Sequence, residues 1–169
     1  ETEKPHFDEG RSAAFQARIS SGSFGYVTPT LRWWQKIGNR TRLALNANYM
    51  RADGNYPFTL VNGKYVTEEK RNNSDIYSWQ GEATLYHTFK DGGVDVKGYY
   101  FNSRRGLPGA VTLYNPISDE TLWDENAFVQ ARYKKHFSSK WSLQAQAKYN
   151  YGWNRYEDEG KEYADGYYQ

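Results

Sequence analysis

Cysteine is absent from this 169-residue sequence, so the chain can form neither a disulfide framework nor a thiolate metal site. Long apolar runs are absent too: the longest clear one, Ala110–Tyr114, contains Thr112 and is far shorter than a transmembrane helix. If the chain spans a membrane it must do so with strands, because lipid tolerates only helices and closed barrels. No leader peptide is visible at Glu1, which predicts that the sequence begins inside a mature protein.

A strong charge of one sign is also missing. The net charge is +2 and the sequence pI is about 8.6, too balanced to indicate nucleic-acid binding. Motifs for nucleotide binding, nucleophilic hydrolysis and zinc-dependent proteolysis do not occur, and the three histidines lie far apart. The sequence therefore predicts no enzymatic activity, no cofactor and no histidine metal site. The acidic cluster at 157–159 with Asp165 leaves calcium binding and a solvated loop both open.

Aromatic residues take the place that aliphatic residues hold in an ordinary core. Leucine, isoleucine and valine are scarce, whereas Tyr, Trp and Phe make up 18% of this hydrophilic chain, led by 16 tyrosines. Such side chains suit places where one end is apolar and the other is wet. The aromatic girdles of a membrane barrel are places of this kind.

Apolar and polar residues alternate through most of the chain, which predicts β-strands with two different faces. In the last strand Leu143, Ala145 and Ala147 face one way, bracketed by aromatics, and glutamines and Lys148 face the other. We predict seven strands, at about 12–21, 25–36, 41–52, 75–89, 94–102, 126–136 and 141–151.

The connections alternate as well. Tight turns at 37–40, 90–93 and 138–140 separate long polar stretches at about 53–74, 103–125 and 155–169. Short turns at one end and long loops at the other are typical of outer-membrane barrels, as are strands of about ten residues or more. A soluble antiparallel sandwich also alternates and remains the alternative. Because bacterial single-chain barrels have even strand numbers, seven strands indicate either part of a larger barrel or one further strand at an end that the pattern does not show.

Two features of the long stretches indicate ligand contact. Aromatic residues stand in otherwise polar sequence, where they serve either to bind a ligand or to pack the loops on one another. The run from Arg104 to Gly109 places Pro108 and two glycines around Leu107, which predicts a turn that presents Leu107 beside two cations.

The sequence resembles TonB-dependent receptors. The run Ser21–Gly25, followed by a strand, the short Gly38–Arg40 turn and the strand Leu43–Tyr49, looks like the first barrel hairpins of that family. Arg105–Val111 resembles an extracellular loop motif of Bacteroidetes receptors similar to the cobalamin transporter. The resemblance implies an all-β, antiparallel up-and-down transmembrane β-barrel, of which this chain is an N-terminal portion of about seven strands. Glu1–Gly10 would be the plug-to-barrel link, and residues 11–169 a partial barrel with long extracellular loops.

The resemblance also implies a function, which is TonB-dependent uptake of a scarce nutrient such as a cobamide, haem or a ferric siderophore across the bacterial outer membrane. The resemblance implies that the partners are the nutrient, outer-membrane lipid and the plug of the same protein. It also allows a surface lipoprotein as a further partner. Two alternatives stay open, a small independent porin-like or structural barrel and a soluble carbohydrate-binding sandwich. The lumen-facing residues would be Gln80, Glu82, Lys97, Arg132 and Lys148. The expected ligand contacts are Tyr56, Arg104, Arg105, Leu107, Tyr114 and Tyr156.

Overall fold

The structure, a computed structural model, describes residues 11–110 and 118–159. These residues form β-strands joined by turns and short irregular segments, and they contain no helix long and apolar enough to cross a membrane. The strands are β1 (Ala13–Ser21), β2 (Val27–Ile37), β3 (Thr41–Ala52), β4 (Pro57–Asn62), β5 (Tyr65–Lys70), β6 (Ile76–Phe89), β7 (Gly92–Leu107), β8 (Glu120–His136) and β9 (Ser142–Asp158).

Seven of these strands form one antiparallel sheet in the order β1-β2-β3-β6-β7-β8-β9. Apart from the inserted β4–β5 hairpin, each strand pairs with its neighbours in sequence, which confirms the predicted up-and-down order. Within the described ranges the sheet does not close on itself, because β1 and β9 each pair with one strand only.

The predicted loops differ from the structure in one consistent way, because pairing extends further than the apolar pattern does. The stretch 53–74, predicted as a polar loop, contains the β4–β5 hairpin. Predicted loop residues 103–107, 120–125 and 155–158 belong instead to the ends of β7, β8 and β9. Strand pairing needs only backbone donors and acceptors, so it continues where the side chains on both faces have become polar.

Register gives the seven-stranded sheet two chemically different faces. One row of directly paired residues, which we take as the middle of the apolar face, is Phe15, Trp33, Leu45, Ala83, Gly98, Val129 and Tyr149. The neighbouring row on the polar face is Gln16, Arg32, Asn46, Glu82, Tyr99, Phe128 and Asn150. Because directly paired residues share a face, every strand contributes to both surfaces.

Burial in this sheet is the reverse of that in a soluble core. Among the described residues Tyr86 is the one buried hydrophobic residue, and it lies on the polar face together with buried Ser78, Thr84 and Ser103. The alternation in the sequence predicts that Leu43, Leu45, Val96, Val129, Leu143 and Ala145 belong to one exposed apolar surface, and none of the six is buried. Val96, Val129, Leu143 and Ala145 are exposed as predicted, with Val129 54% exposed, while Leu43 and Leu45 are half-buried.

The two ends of the sheet differ as predicted. At one end, which we call the tight-turn end, β2–β3, β6–β7 and β8–β9 are joined by short turns, with Gly38 at φ 62° and Asp91 at φ 66°. The opposite end, the long-connection end, carries the inserted hairpin and the β7–β8 connection. The β1–β2 connection also lies there and is short, as predicted.

Candidate functional site

The long-connection end is assembled from several separate segments of the chain. The carbonyl of Phe24, in the β1–β2 connection, accepts hydrogen bonds from the backbone N–H groups of Asp53 (2.9 Å) and Gly54 (3.2 Å). The ring of Phe24 meets that of Tyr56 edge-on, with centroids 6.2 Å apart. The first connection is therefore fixed to the base of the inserted hairpin.

Asn73 fixes the other side of that base. Its side-chain amide donates to the carbonyls of Leu107 (3.0 Å) and Glu120 (2.7 Å), so one residue bridges the ends of β7 and β8. Asn73 has φ 46°, in the left-handed region that asparagine tolerates better than most residues. Its backbone lies directly over Gly106, where a Cβ would come within 2.5 Å of the Asn73 carbonyl oxygen. We call Asn73 and Gly106 the hairpin anchor.

Arg104 and Arg105, predicted as neighbouring loop cations, lie in β7 and project from opposite faces of the sheet. Arg104 belongs to the apolar face, where it pairs with Asp75 at 3.2 Å and its guanidinium carbon lies 5.8 Å from the ring centroid of Trp123. Arg105 belongs to the polar face and pairs with Asp124 at 3.2 Å. The predicted turn begins only after Leu107, at Pro108 and Gly109.

The remaining predicted ligand contacts are only partly brought together. Tyr156 lies in β9 on the polar face, in the row that contains Arg105 and Leu122. Tyr56 is exposed, next to the β1–β2 connection, and Leu107 ends β7. Tyr114 lies outside the described residues. A ligand approaching the polar face from the long-connection end could thus meet Arg105 and Tyr156, whereas Arg104 would face away from it.

The polar face of β6–β9 carries a charge-balanced network. The Lys97 ammonium lies 2.8 Å from the Glu82 carboxylate, and Arg132 donates through two nitrogens to one oxygen of Asp95, at 2.6 and 3.1 Å. Tyr86, 5% exposed, lies on this face and pairs directly with Asp95. The five predicted lumen-facing residues all occupy this face, and the Lys148 ammonium lies 4.4 Å from the ring centroid of Phe128.

Sequence reasoning missed Asn73, Gly106 and Asp124 as organising residues. Asparagine is enriched at positive φ, so the Asn72-Asn73-Ser74 run carried a signal of backbone conformation. No comparable signal exists for the partnership of Arg105 with Asp124, because it depends on the β7–β8 register. In the part of the chain that the structure describes, no group of three or more histidines, cysteines and carboxylates is placed to hold a metal ion.

Comparison with known proteins adds no family to this description: the chain matches no protein-family model and no curated protein.

Proposed function

We propose that this chain is part of an outer-membrane β-barrel receptor that takes up a scarce nutrient by TonB-dependent transport. One observation carries the proposal: apart from Tyr156 near the end of β9, the large exposed apolar side chains of the seven-stranded sheet lie on one face, while buried Tyr86, Thr84 and Ser78 lie on the polar one. In water such a sheet would leave a wide apolar surface uncovered. In an outer-membrane barrel the same surface contacts lipid, and the polar face lines the interior.

The long-connection end supports the receptor role within this proposal. Outer-membrane barrels carry their long loops outside the cell and their short turns in the periplasm. In that orientation Arg105 and Tyr156 lie at the outer entrance of the lumen. The β4–β5 hairpin lies at the same end, held there by the hydrogen bond from Asn73 to Leu107. The proposed ligand is a cobamide, haem or a ferric siderophore. The proposed partners are the plug of the same protein, outer-membrane lipid and a surface lipoprotein. No bond is made or broken in this role.

The membrane orientation can be tested by cysteine labelling, because the chain has no cysteine of its own. Leu143 and Gln144 are neighbours on β9 that face opposite sides of the sheet. We expect Leu143→Cys in reconstituted protein to react with a bilayer-confined maleimide and Gln144→Cys to react only with a water-soluble one. Equal labelling of both by the water-soluble reagent would contradict a lipid-facing surface. Protection of Leu143→Cys from both reagents would instead indicate the packed core of a sandwich.

The proposed contact between Arg105 and the ligand can be tested by comparing Arg105 with the adjacent Arg104. We expect Arg105→Ala to lower nutrient uptake by about tenfold, because it removes a cation from the lumen entrance. Arg104→Ala is the matched control and should leave uptake unchanged, because Arg104 lies on the apolar face. The measurement is uptake of labelled cobalamin, haemin or a ferric siderophore by cells that produce equal amounts of assembled protein. Equal losses in the two variants would contradict the assignment.

A further inference from the structure

We propose that the polar face of β1–β3 binds an anionic solute with carboxylate or phosphate groups; the inference rests on the proposed function, because it takes this face to line the lumen. The binding surface is a set of four cations that we call the cationic stripe. It consists of Arg18, Arg32, Lys36 and Arg42.

In the part of the chain that the structure describes, the cationic stripe differs from the rest of the polar face because no carboxylate pairs with it. On β6–β9 three cations of the polar face pair with carboxylates: Lys97 with Glu82, Arg105 with Asp124 and Arg132 with Asp95. Within the described residues no side chain of the stripe forms an ion pair or a hydrogen bond, and its three arginines are exposed. The polar face therefore has a balanced half and an unbalanced, positive half.

Strand register also places two cations of the stripe where they repel each other, which lowers the stability of the sheet. Lys36 on β2 pairs directly with Arg42 on β3, so two like charges stand opposite each other on one face. Such cross-strand pairs destabilise a sheet. A bound anion between the two side chains would turn that repulsion into two attractive contacts.

The other end of the stripe offers a shaped site. A depression of about 200 Å³ lies between β1 and β2. Arg18 and Arg32 are diagonal neighbours there, because Arg18 pairs with Thr30 and Arg32 pairs with Gln16. Guanidinium groups bind carboxylates and phosphates through two parallel hydrogen bonds, and hydroxyls can complete the shell. The depression is lined by Gln16, Arg18, Ser20, Thr30 and Arg32.

The cationic stripe runs along the strands, which is the direction of transport through a barrel lumen. From the row of Lys36 and Arg42 at the tight-turn end to Arg32 is four residues of β2, roughly 13 Å along the strand. The row of Arg18 lies two residues further toward the long-connection end. Successive cations along the direction of transport give an anion several weak sites in turn, as in anion-selective pores.

The test uses the intact protein that contains this chain, after gel migration has shown that the barrel is assembled. Inorganic pyrophosphate and citrate are the probes, and binding is measured by titration calorimetry. We expect the triple variant Arg18→Gln/Arg32→Gln/Arg42→Gln to bind pyrophosphate about a hundredfold more weakly than the unchanged protein. The control Arg51→Gln/Arg104→Gln/Arg155→Gln removes the same charge from the apolar face and should bind pyrophosphate normally.

Several results would overturn the inference. One is equal weakening in both triple variants, and another is assembled protein that binds neither probe. A third is binding that appears only after Glu3, Asp8 and Glu9 are changed to Gln. That result would mean that the cations of the stripe bind the acidic residues at the start of the chain and not a solute. If the triple variant does not assemble, Arg32→Gln alone should weaken binding about fivefold. Failure of the unchanged protein to enter membranes would count against the proposed function instead.

Discussion

Replacing Gly106 with valine should release the inserted hairpin from the sheet. A Cβ at this position would lie 2.5 Å from the carbonyl oxygen of Asn73, so the Asn73 backbone must move away. That movement breaks the hydrogen bonds from Asn73 to Leu107 and Glu120. With the strain included, we expect a loss of about 3 kcal/mol in the free energy of local opening. The readout is the rate of trypsin cleavage at Lys64 and Lys70, which should rise about a hundredfold.

A matched glycine controls for the effect of valine on the strand itself. Gly98 lies on the same strand, β7, and a Cβ built there meets nothing within 4 Å. Gly98→Val should therefore leave cleavage at Lys64 and Lys70 unchanged, since valine is well suited to a strand. If Gly106→Val is cut no faster than Gly98→Val, the anchor does not hold the hairpin.

A charge placed on the apolar face should weaken membrane assembly strongly. Val129 lies in the middle row of that face and is exposed. Arginine at the bilayer midplane costs about 2–4 kcal/mol in outer-membrane barrels. We therefore expect Val129→Arg to lower the free energy of unfolding in liposomes by about that amount, measured by denaturant titration. The fraction of protein with heat-modifiable migration should fall with it.

The control for this substitution lies on the same strand but on the other face. Asn126 is exposed, and its direct neighbours are Phe101 and Gly152, so an arginine there meets no like charge in its own row. Asn126→Arg should change the free energy of unfolding by less than about 0.5 kcal/mol. Equal effects of Val129→Arg and Asn126→Arg would show that the two faces have the same surroundings, which the membrane proposal does not allow.

Alternation in the sequence was sufficient to predict the sheet order and the two faces. β3 was predicted with its observed bounds, and β1, β2 and β6 were predicted within two residues at each end. These segments carry apolar side chains at most alternate positions, so periodicity and backbone pairing end close together. The tight turns were equally visible, because Gly38 and the Asp91-Gly92 pair are residues that favour turns.

Prediction failed where pairing is held by polar contacts. The ends of β7, β8 and β9 carry charged residues on both faces, and what orders them is contact between strands, such as that of Arg105 with Asp124 or Arg155 with Trp123. Those partners are distant in sequence, so no local pattern shows them. The β4–β5 hairpin did carry a signal, because Gly63, at φ 60°, begins a two-residue turn between two short β-prone runs.

The candidate ligand residues show that a motif can be identified in the sequence while the faces that its residues occupy stay unknown. The Arg104-Arg105 pair was found from sequence, but the face that each residue occupies depends on strand parity. That parity could not be assigned while the segment was predicted to be a loop. Because adjacent residues on a strand point to opposite faces, Arg104 and Arg105 cannot contact the same ligand. Arg105 and Tyr156 share a row only because β8 lies between β7 and β9 in that register.

The hairpin anchor makes the tip of the β4–β5 hairpin a convenient place for engineering. The tip residues Gly63 and Lys64 are exposed, and a Cβ at Gly63 meets no neighbour within 4 Å. Among the described residues, the contacts between the hairpin and the sheet lie at the base of the hairpin, so a peptide tag inserted between Gly63 and Lys64 adds length without straining the sheet. An antibody against such a tag would report, on whole cells, which side of the membrane this end of the protein occupies.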